Sequence, residues 1–516
     1  MSHIATPLTA DRPSLPPYGK ESNAWDRAFW ILLATTTLLR LIYARTLPLT
    51  GDEAYLWEWG RHPSLSYYDH PPMAGWILWL MTSVLGNTVL AIRITGVGII
   101  SAVVLITHRL AWRISGSARF ACLAGLLLMG IPLVEIGGVL ITPDTPLIGA
   151  GALGGYFFYL AAEEGDRRAW WGLGLCFGAA LLSKFLGAAL PAACFGFLIL
   201  SKHHRPLLRE PGPYISLALA AVSLVPVIVW NASNEWATFV YTFSARHSGA
   251  GAGLGNTADY LLGQSLGLSP LVLLFAFPAL AGGFIGLRGN RMTRWALPAF
   301  LALVPYGGLL LVSILTKVGA HWPAAGLPFL ALTVTAYLLR KGPISSGYVA
   351  AAASAWVLTA LLFLIPVIPR LLPDDWEYPL RNTKVKTAQL RKLTISPSDS
   401  GKRISAVLEE MKADNAAFVF TRSYALSSLV AFYTPGHPEV TVLGGGSSHG
   451  RNHFLWFEPE DYIGHDGVFV SYRDFSRERE FLLARFDRVE PVPDTAGEDD
   501  GLRLTVVRCF GYSGKR

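Results

Sequence analysis

A cluster of acidic residues stands in the segment "GDEAYLWEWGRHPSLSYYDHPP", residues 51–72, between two strongly apolar stretches. It contains the carboxylates Asp52, Glu53, Glu58 and Asp69. Charged groups beside long apolar stretches are costly, and they tend to mark a function. A carboxylate held in such a place can act as a general base that takes a proton from a hydroxyl group. Asp52 and Glu53 are the first candidates for this role, although acids are also favoured in the first turn of any helix.

A further acid, Asp144 in "ITPDTPL", stands where another apolar stretch begins. Its ordinary explanation is a helix start, with Pro146 close behind it. It strengthens the functional interpretation of the first cluster, because both are predicted at the same end of the apolar segments.

Basic and imidazole side chains occur in several other segments, where cations commonly extend to the membrane surface and a single histidine is usually exposed. They are His70 beside Asp69 in "YYDHPP", Arg93 in "AIRITG", Lys184 in "LLSKFLG", Arg246 and His247 in "SARHSGAGAGLGN", and Lys317 and His321 in "KVGAHWP". Together with the acids they suit a lipid-linked phosphate substrate, with a base at one end and cations neutralising the leaving phosphate. A carboxylate with an imidazole can also bind a divalent cation, and Arg246 with His247 could instead bind a phosphate directly.

The elements that position these residues are predicted from composition and apolar periodicity. The chain of 516 residues is 52% hydrophobic and only 15% charged, whereas soluble proteins average about 25% charged. Apolar runs approaching the length that spans a bilayer recur along it, which predicts a polytopic, mainly helical membrane protein with about 11 to 13 spans. The predicted segments are 25–48, 88–111, 120–139, 145–162, 169–184, 187–201, 214–231, 269–287, 295–316, 322–339 and 346–367.

The net charge of +7 reflects membrane topology and gives no indication of nucleic-acid binding. With the N-terminus in the cytoplasm, the predicted cytoplasmic loops contain 13 Lys and Arg and the opposite loops contain 4. This asymmetry predicts that the acidic segment faces away from the cytoplasm. The four cysteines indicate neither a metal site nor a disulfide framework.

Three regions are predicted: a cytoplasmic tail (1–24), a transmembrane part (25–368) and a C-terminal soluble α/β domain (369–516). The last contains strand-like runs such as "AAFVF", "EVTVL", "GVFVSY" and "RLTVV", and a helical run "SGKRISAVLEEMKAD". Its glycine-rich "GGGSSHG" lacks the lysine and following helix of a P-loop, so no nucleotide cofactor is expected.

The acidic segment resembles the first extracytoplasmic loop of bacterial family-39-type glycosyltransferases with the GT-C fold. Relatives include the protein O-mannosyltransferases and the aminoarabinose and galacturonic acid transferases of lipid A. The similarity extends to "ITPDTPL", "LLSKFLG", "WNASNEWATFVYTFSARHSG", "KVGAHWPAAG", "TRSYALSSLVAFYTPGHPEV" and "HGRNHFLW".

The resemblance implies an inverting transferase in the bacterial inner membrane, with its active site and C-terminal domain outside the cytoplasm. It would move one sugar from a polyprenyl-phosphate donor to a lipid A-type glycolipid or another acceptor, such as a protein. Asp52 would be the base and Asp144 an assisting acid, while Glu53 completes the signature pair. Asp69 with His247 matches a site that can hold a divalent metal ion. The residues implied in donor binding are Arg93, Lys184, Arg246, Lys317 and His321.

One position departs from the resemblance, because His70 stands where several lipid A transferases have a lysine.

Two alternatives remain open on the sequence alone. The first is a transporter or flippase of a lipid-linked sugar, which also carries ionisable groups within its spans. The second is a membrane-anchored binding protein whose function lies in the C-terminal domain.

Overall fold

The computed structural model describes residues 20–243, 251–288, 294–340, 342, 344–364, 377–380, 383–386, 398–444, 450–493 and 504–515. Its first part is a bundle of helices. Most of them coincide with the predicted apolar segments, but Gly51–Arg61, Met73–Leu85, Ala237–Phe243 and Leu254–Leu268 lie outside these segments, and the predicted segment 214–231 is two helices. The α-helices are α1 (Lys20–Thr46), α2 (Gly51–Arg61), α3 (Met73–Leu85), α4 (Val89–Ser115), α5 (Ala118–Gly130), α6 (Pro132–Val139), α7 (Asp144–Ala162), α8 (Ala169–Ser183), α9 (Ala189–Leu200), α10 (Pro211–Ser223), α11 (Val225–Ser233), α12 (Ala237–Phe243), α13 (Leu254–Leu268), α14 (Pro270–Arg288), α15 (Ala296–Val312), α16 (Leu327–Leu339) and α17 (Ser346–Leu364). Short 3₁₀ turns cover Phe185–Ala188, Arg205–Arg209 and Ala324–Gly326.

Local signals explain where several of these helices begin and end. The hydroxyl of Thr88 accepts a hydrogen bond from the backbone of Ala91 and caps the start of α4. Gly116 ends α4 with a φ of 67°, a conformation that glycine adopts at low cost. Ser117 then caps α5. The axes of α5 and α6 differ by 69°, and the bend lies between Gly130 and Pro132, where proline cannot continue the helix.

The protein is a multi-pass membrane protein. Among the described residues, six helices are long and apolar enough to cross a bilayer, or seven if the bent pair α5–α6 counts as one span. Shorter apolar helices such as Ala169–Ser183 and Ala296–Val312 belong to the same bundle. The prediction of 11 to 13 spans includes these shorter helices and stays a prediction.

The second part is the predicted α/β domain. Its strands and helices are β1 (Glu377–Leu380), β2 (Thr383–Lys386), α18 (Ser398–Asp414), β3 (Ala417–Thr421), α19 (Tyr424–Tyr433), β4 (Val440–Val442), α20 (Asn452–Trp456), β5 (Asp466–Ser471), α21 (Phe475–Leu483), β6 (Phe486–Pro491) and β7 (Thr505–Tyr512), with a 3₁₀ turn at Pro459–Tyr462. β1 and β2 pair with each other, and the other strands form one sheet in the order β4-β3-β5-β7-β6. β3 is parallel to β4 and β5, whereas β7 is antiparallel to β5 and β6. The four predicted strands and the predicted helix are confirmed.

The α/β domain packs on the acidic segment through a shared hydrophobic core. Trp57 of α2 meets Phe432 of α19 with ring centroids 5.1 Å apart. Buried residues of α2 and of the domain belong to one cluster, which also includes Tyr55, Trp59 and Val430. The domain therefore forms one wall of whatever site the acidic segment builds.

Candidate active site

The acidic segment folds as helix α2, and its first turn separates the two neighbouring acids Asp52 and Glu53. Thr50 caps the helix: its hydroxyl accepts from the Glu53 backbone at 3.3 Å, and the Glu53 carboxylate accepts from the Thr50 backbone at 3.0 Å. This reciprocal capping box draws Glu53 inward. Asp52 points outward and is exposed.

The carboxylate of Glu53 is buried and fully engaged. Two nitrogens of Arg93 donate to it at 2.7 Å each. The backbone of Ile141 donates at 3.3 Å, and the Thr50 backbone and hydroxyl donate at 3.0 and 3.1 Å. Five donors therefore meet a group that offers about four lone-pair directions. This geometry gives Glu53 a structural role, and its predicted catalytic role stays a prediction.

Arg93 is likewise committed to structure. Its side chain is buried, and apart from Glu53 it donates to the carbonyl oxygens of Ala44, Leu47 and Pro48 at 3.2, 2.7 and 2.8 Å. These contacts use all five N–H groups of the guanidinium. Arg93 clamps the end of α1 to the start of α2, and its predicted role in substrate binding stays a prediction.

Asp52 is held by the C-terminal domain. The hydroxyl of Tyr424, the first residue of α19, donates to Asp52 Oδ1 at 2.8 Å. The pKa of Tyr424 is raised well above its usual value by burial first, then by this hydrogen bond and by the charges of Asp52 and Asp69. Tyr424 therefore stays protonated and keeps donating, while the rest of the exposed Asp52 carboxylate remains accessible.

Asp69 is the centre of a second contact with the C-terminal domain. It is fully buried, and it accepts hydrogen bonds from the Tyr55 hydroxyl at 2.6 Å and from the Gly450 backbone at 3.2 Å. The amide of Asn452 donates to the same Tyr55 hydroxyl at 2.6 Å. Burial, followed by the charge of Asp69 and the hydrogen bond to Asp69, raises the pKa of Tyr55 well above its usual value, although the hydrogen bonds from Asn452 oppose the shift.

The predicted metal-binding partner of Asp69 is His247, and Arg246 beside it was predicted to bind the donor phosphate. Arg246 and His247 lie outside the described residues, so their predicted roles stay predictions. The described chain ends just before them at α12, where Tyr241 packs on Tyr68 with ring centroids 5.3 Å apart. His70 is half-buried beside Trp59, and its ring centroid lies 6.4 Å from that of the indole.

A third group joins Asp144, Lys184 and His321, three predicted site residues from distant segments. The ammonium of Lys184 lies 2.9 Å from both carboxylate oxygens of Asp144. Nε2 of His321 lies 3.6 Å from Asp144 Oδ2, and the Lys184 ammonium lies 5.7 Å from the centre of the Trp322 ring. Asp144 and Lys184 are buried, whereas about half of the His321 side chain is exposed. Lys317 is exposed close to this group in sequence.

Chain geometry explains why Lys184 can reach Asp144. Asp144 is the first residue of α7, where the positive end of the helix dipole favours a carboxylate. Lys184 follows α8 with an extended backbone, φ −164° and ψ 145°, before the turn Phe185–Ala188. Because the backbone is extended at this break between two apolar helices, the Lys184 side chain can reach the Asp144 carboxylate.

Several residues at this site escape prediction from the sequence. Tyr424 lies 372 residues after Asp52, and Asn452 lies 397 residues after Tyr55. Neither has a spacing or a charge that would single it out. The only signal was the similarity of the segments that contain them to the corresponding family segments.

A cavity of about 500 Å³ opens where α2 meets the α/β domain. Its polar lining includes Glu58, His62, Glu439 and His453. Burial raises the pKa of Glu58 to about 8, although the charge of Arg61 opposes the shift. Burial, followed by the charge of His62, lowers the pKa of His453 to about 4.

Comparison with known proteins identifies the fold. The solved structure of ArnT from Cupriavidus metallidurans bound to undecaprenyl phosphate superposes with a TM-score of 0.65. The match covers 93% of this chain and 97% of that one at 17% sequence identity. The chain has the ArnT-like GT-C fold. The apo structure of the same ArnT gives a TM-score of 0.65 at 15% identity, covering 95% of this chain and 98% of that one.

The sequence comparisons agree with this GT-C fold over part of the chain. Residues 69–230 match the family model described as dolichyl-phosphate-mannose-protein mannosyltransferase. The matched range includes Asp69, Asp144 and Lys184, and it begins after Asp52. A comparison with curated proteins returned no match. The predicted resemblance to GT-C glycosyltransferases and the predicted fold class are both confirmed.

Proposed function

We propose that the protein is an inverting glycosyltransferase that moves one sugar from a polyprenyl-phosphate donor to a glycolipid or another hydroxyl-bearing acceptor. The observation that carries this proposal is the Asp52 carboxylate, exposed at the start of α2 and oriented by Tyr424, within a GT-C fold. The similar ArnT was solved with undecaprenyl phosphate bound, which supports a donor of that class. A lipid A-type acceptor at the outer face of a bacterial inner membrane follows the sequence resemblance.

Asp52 is proposed as the general base. It takes the proton from the acceptor hydroxyl as that oxygen attacks the anomeric carbon of the donor sugar. The bond from this carbon to the phosphate oxygen breaks, and the polyprenyl phosphate leaves with the electron pair. Attack from the face opposite the leaving group inverts the anomeric configuration. A placed base of this kind contributes about 10²–10⁴-fold to the rate.

Lys184 is proposed to stabilise the leaving phosphate. Its ammonium is now paired with Asp144 in a mostly buried position beside the half-exposed His321. A phosphate brought to this group would share the cation, since charge-assisted hydrogen bonds are strong where water is excluded. Asp144 would then hold the ammonium in place between turnovers. Lys317 and Arg246 remain proposed donor contacts.

A divalent ion at Asp69 and His247 is also retained as a proposal. Asp69 suits this role in its chemistry, because it is a buried carboxylate, and it accepts hydrogen bonds from Tyr55 and from the Gly450 backbone. Bound there, an ion would add positive charge near the donor phosphate. Asp69 itself positions Tyr55 and the Gly450 backbone in either case.

The test compares membranes that contain wild-type protein with membranes that contain Asp52→Asn, matched for folded protein. Mass spectrometry of extracted glycolipids and polyprenyl phosphates measures product and donor. We expect the substitution to lower transfer by about 10²–10⁴-fold, with accumulation of the donor. Asp414→Asn, which alters an exposed aspartate at the end of α18, serves as the matched control. Wild-type rates in folded Asp52→Asn would reject the assignment of the base, and unchanged lipids in both samples would favour a transporter.

A further inference from the structure

Three side chains with metal-binding atoms converge where α2 meets the α/β domain. Glu58 and His62 lie four residues apart at the end of α2, a spacing that puts both on one face of a helix. Glu439 comes from the other part of the molecule, directly before β4. Nε2 of His62 lies 3.3 Å from Glu439 Oε2 and 3.8 Å from Glu58 Oε2. One ligand atom from each residue lies within 4.8 Å of the other two.

We propose that Glu58, His62 and Glu439 bind one divalent transition-metal ion, such as Zn²⁺, with a further coordination position open to the adjacent cavity. Nitrogen and oxygen ligands lie about 2.0–2.2 Å from zinc, so two of them in tetrahedral geometry are separated by about 3.4 Å. The two distances measured from His62 are close to this separation. The third distance, between the Glu58 and Glu439 carboxylate oxygens, would then have to approach about 3.4 Å to complete the set of three ligands. One imidazole with two carboxylates suits zinc or manganese better than magnesium or calcium.

The imidazole of His62 is available to such an ion. Its Nε2 is buried and forms no hydrogen bond within the part of the chain that the structure describes. The ring stacks on Trp456 with centroids 4.4 Å apart and planes 20° apart, which fixes its direction. The nearest polar atom to this nitrogen is Glu439 Oε2 at 3.3 Å, which is itself a proposed ligand, so an ion bound between them would replace this contact.

Arg61 is the competing cation, and its contacts leave room for a second one. It donates to Glu439 Oε1 at 2.7 Å, on the side away from His62, and to the His437 carbonyl at 2.9 Å. It also contacts both oxygens of Glu58, at 3.2 and 3.4 Å. One guanidinium thus faces two carboxyl groups, and the Oε2 atoms of both also face His62. Arg61 would orient the carboxylates while their Oε2 atoms face the ion.

The cavity supplies access and an open position. Its volume of about 500 Å³ holds several water molecules, and the three ligands line it together. Glu439 is the exposed member, since 64% of its side chain is accessible. An ion bound here would join the acidic segment to the α/β domain. This site is separate from the Asp69 and His247 pair, and the inference does not depend on the proposed transferase activity.

The experiment uses the full-length protein, purified in detergent and stripped of metal with a chelator. Isothermal titration with Zn²⁺ measures affinity and stoichiometry, and Co²⁺ absorption spectra report the coordination geometry. We expect one equivalent of Zn²⁺ whose affinity falls more than about tenfold in Glu439→Gln and in His62→Gln, because even the loss of an outer-shell partner costs about 10–100-fold. Zn²⁺ should raise the unfolding temperature of the wild type but not that of these variants.

Two further variants make the result decisive. Glu409→Gln, which alters an exposed glutamate of α18 paired with Lys412, should bind Zn²⁺ as the wild type does. Asp69→Asn tests the other candidate site. If Asp69→Asn removes the bound Zn²⁺ while Glu439→Gln and His62→Gln retain it, the ion belongs elsewhere and the proposal is overturned. It is also overturned if none of the variants alters binding, since the group is then only an ion-pair network around Arg61.

Discussion

At the scale of single residues, two adjacent acids have opposite environments. Glu53 is buried among five donors, whereas Asp52 is exposed and receives one hydrogen bond, from Tyr424. A carboxylate saturated with donors is a poor base, while one with a single donor is oriented and still basic. The difference arises because the capping box turns one side chain towards the helix start and leaves the other outside.

The Tyr424 hydroxyl gives a direct prediction at this scale. Tyr424→Phe removes the hydrogen bond that orients Asp52 while it keeps the ring, so we expect transfer to fall about tenfold, corresponding to about 1.4 kcal/mol. The measurement is the initial transfer rate in membranes at saturating donor.

Tyr433→Phe is the matched control, because it alters the other end of the same helix. The Tyr433 hydroxyl accepts a hydrogen bond from the Leu49 backbone at 2.9 Å, whereas the Tyr424 hydroxyl is the one that donates to Asp52. An equal loss of transfer in both variants would mean that Tyr424 acts only by holding the domain in place.

At the scale of elements, helix α2 is fixed at its start by a buried ion pair and a cap. Arg93 of α4 reaches Glu53 and the three carbonyls at the end of α1, so one guanidinium sets the relative positions of three helices. The bond from Ile141 to Glu53 extends this arrangement to the turn before α7, three residues from Asp144. The contacts of Glu53 therefore help to place Asp52 and Asp144 at the same end of the bundle.

The buried ion pair between Arg93 and Glu53 should contribute more to stability than the helix cap does. Arg93→Met leaves the Glu53 carboxylate buried without its cationic partner, which should cost about 3–5 kcal/mol of folding free energy. Thr50→Ala removes only the side-chain cap of α2 and should cost about 1 kcal/mol. Thermal unfolding in detergent, followed by circular dichroism, compares them. Equal effects would show that the ion pair contributes little to stability.

At the scale of the whole molecule, the bundle was predictable and the composition of the site was not. Apolar runs predict the membrane helices because each must satisfy its own backbone hydrogen bonds in lipid. The pairing of Asp144 with Lys184 and His321 agrees with their predicted common location. The roles of Glu53, Arg93 and Tyr424 depend on contacts across 40 to 372 residues. No local pattern encodes such contacts, since they depend on how distant helices pack and on how the α/β domain docks.

That docking can be disturbed at one glycine. A Cβ at Gly51, the first residue of α2, would lie 2.5 Å from the Ala425 Cβ and 3.1 Å from its Cα. Gly51→Ala should therefore separate α2 from α19, destabilise the protein by about 1–3 kcal/mol and lower transfer. The double variant Gly51→Ala/Ala425→Gly restores the space, so we expect it to recover activity.

Gly98→Ala is the control for this experiment. Gly98 is an exposed residue of α4, and a Cβ there meets nothing within 4 Å. Rescue by the double variant, with no effect of the control, would locate the defect at the interface. A double variant that remains as inactive as Gly51→Ala would instead indicate a requirement of α2 itself.

Because 372 residues separate Asp52 from Tyr424, the two side chains are synthesised at different times. The ribosome makes Asp52 early, and it makes Tyr424 only after all seventeen helices of the described bundle have been synthesised. A nascent chain, or one truncated before α19, therefore carries Asp52, the proposed base, without the hydroxyl that donates to it. The oriented carboxylate forms only when the last domain has been made and has docked on the acidic segment, so completion of the chain acts as a checkpoint on the reactive site.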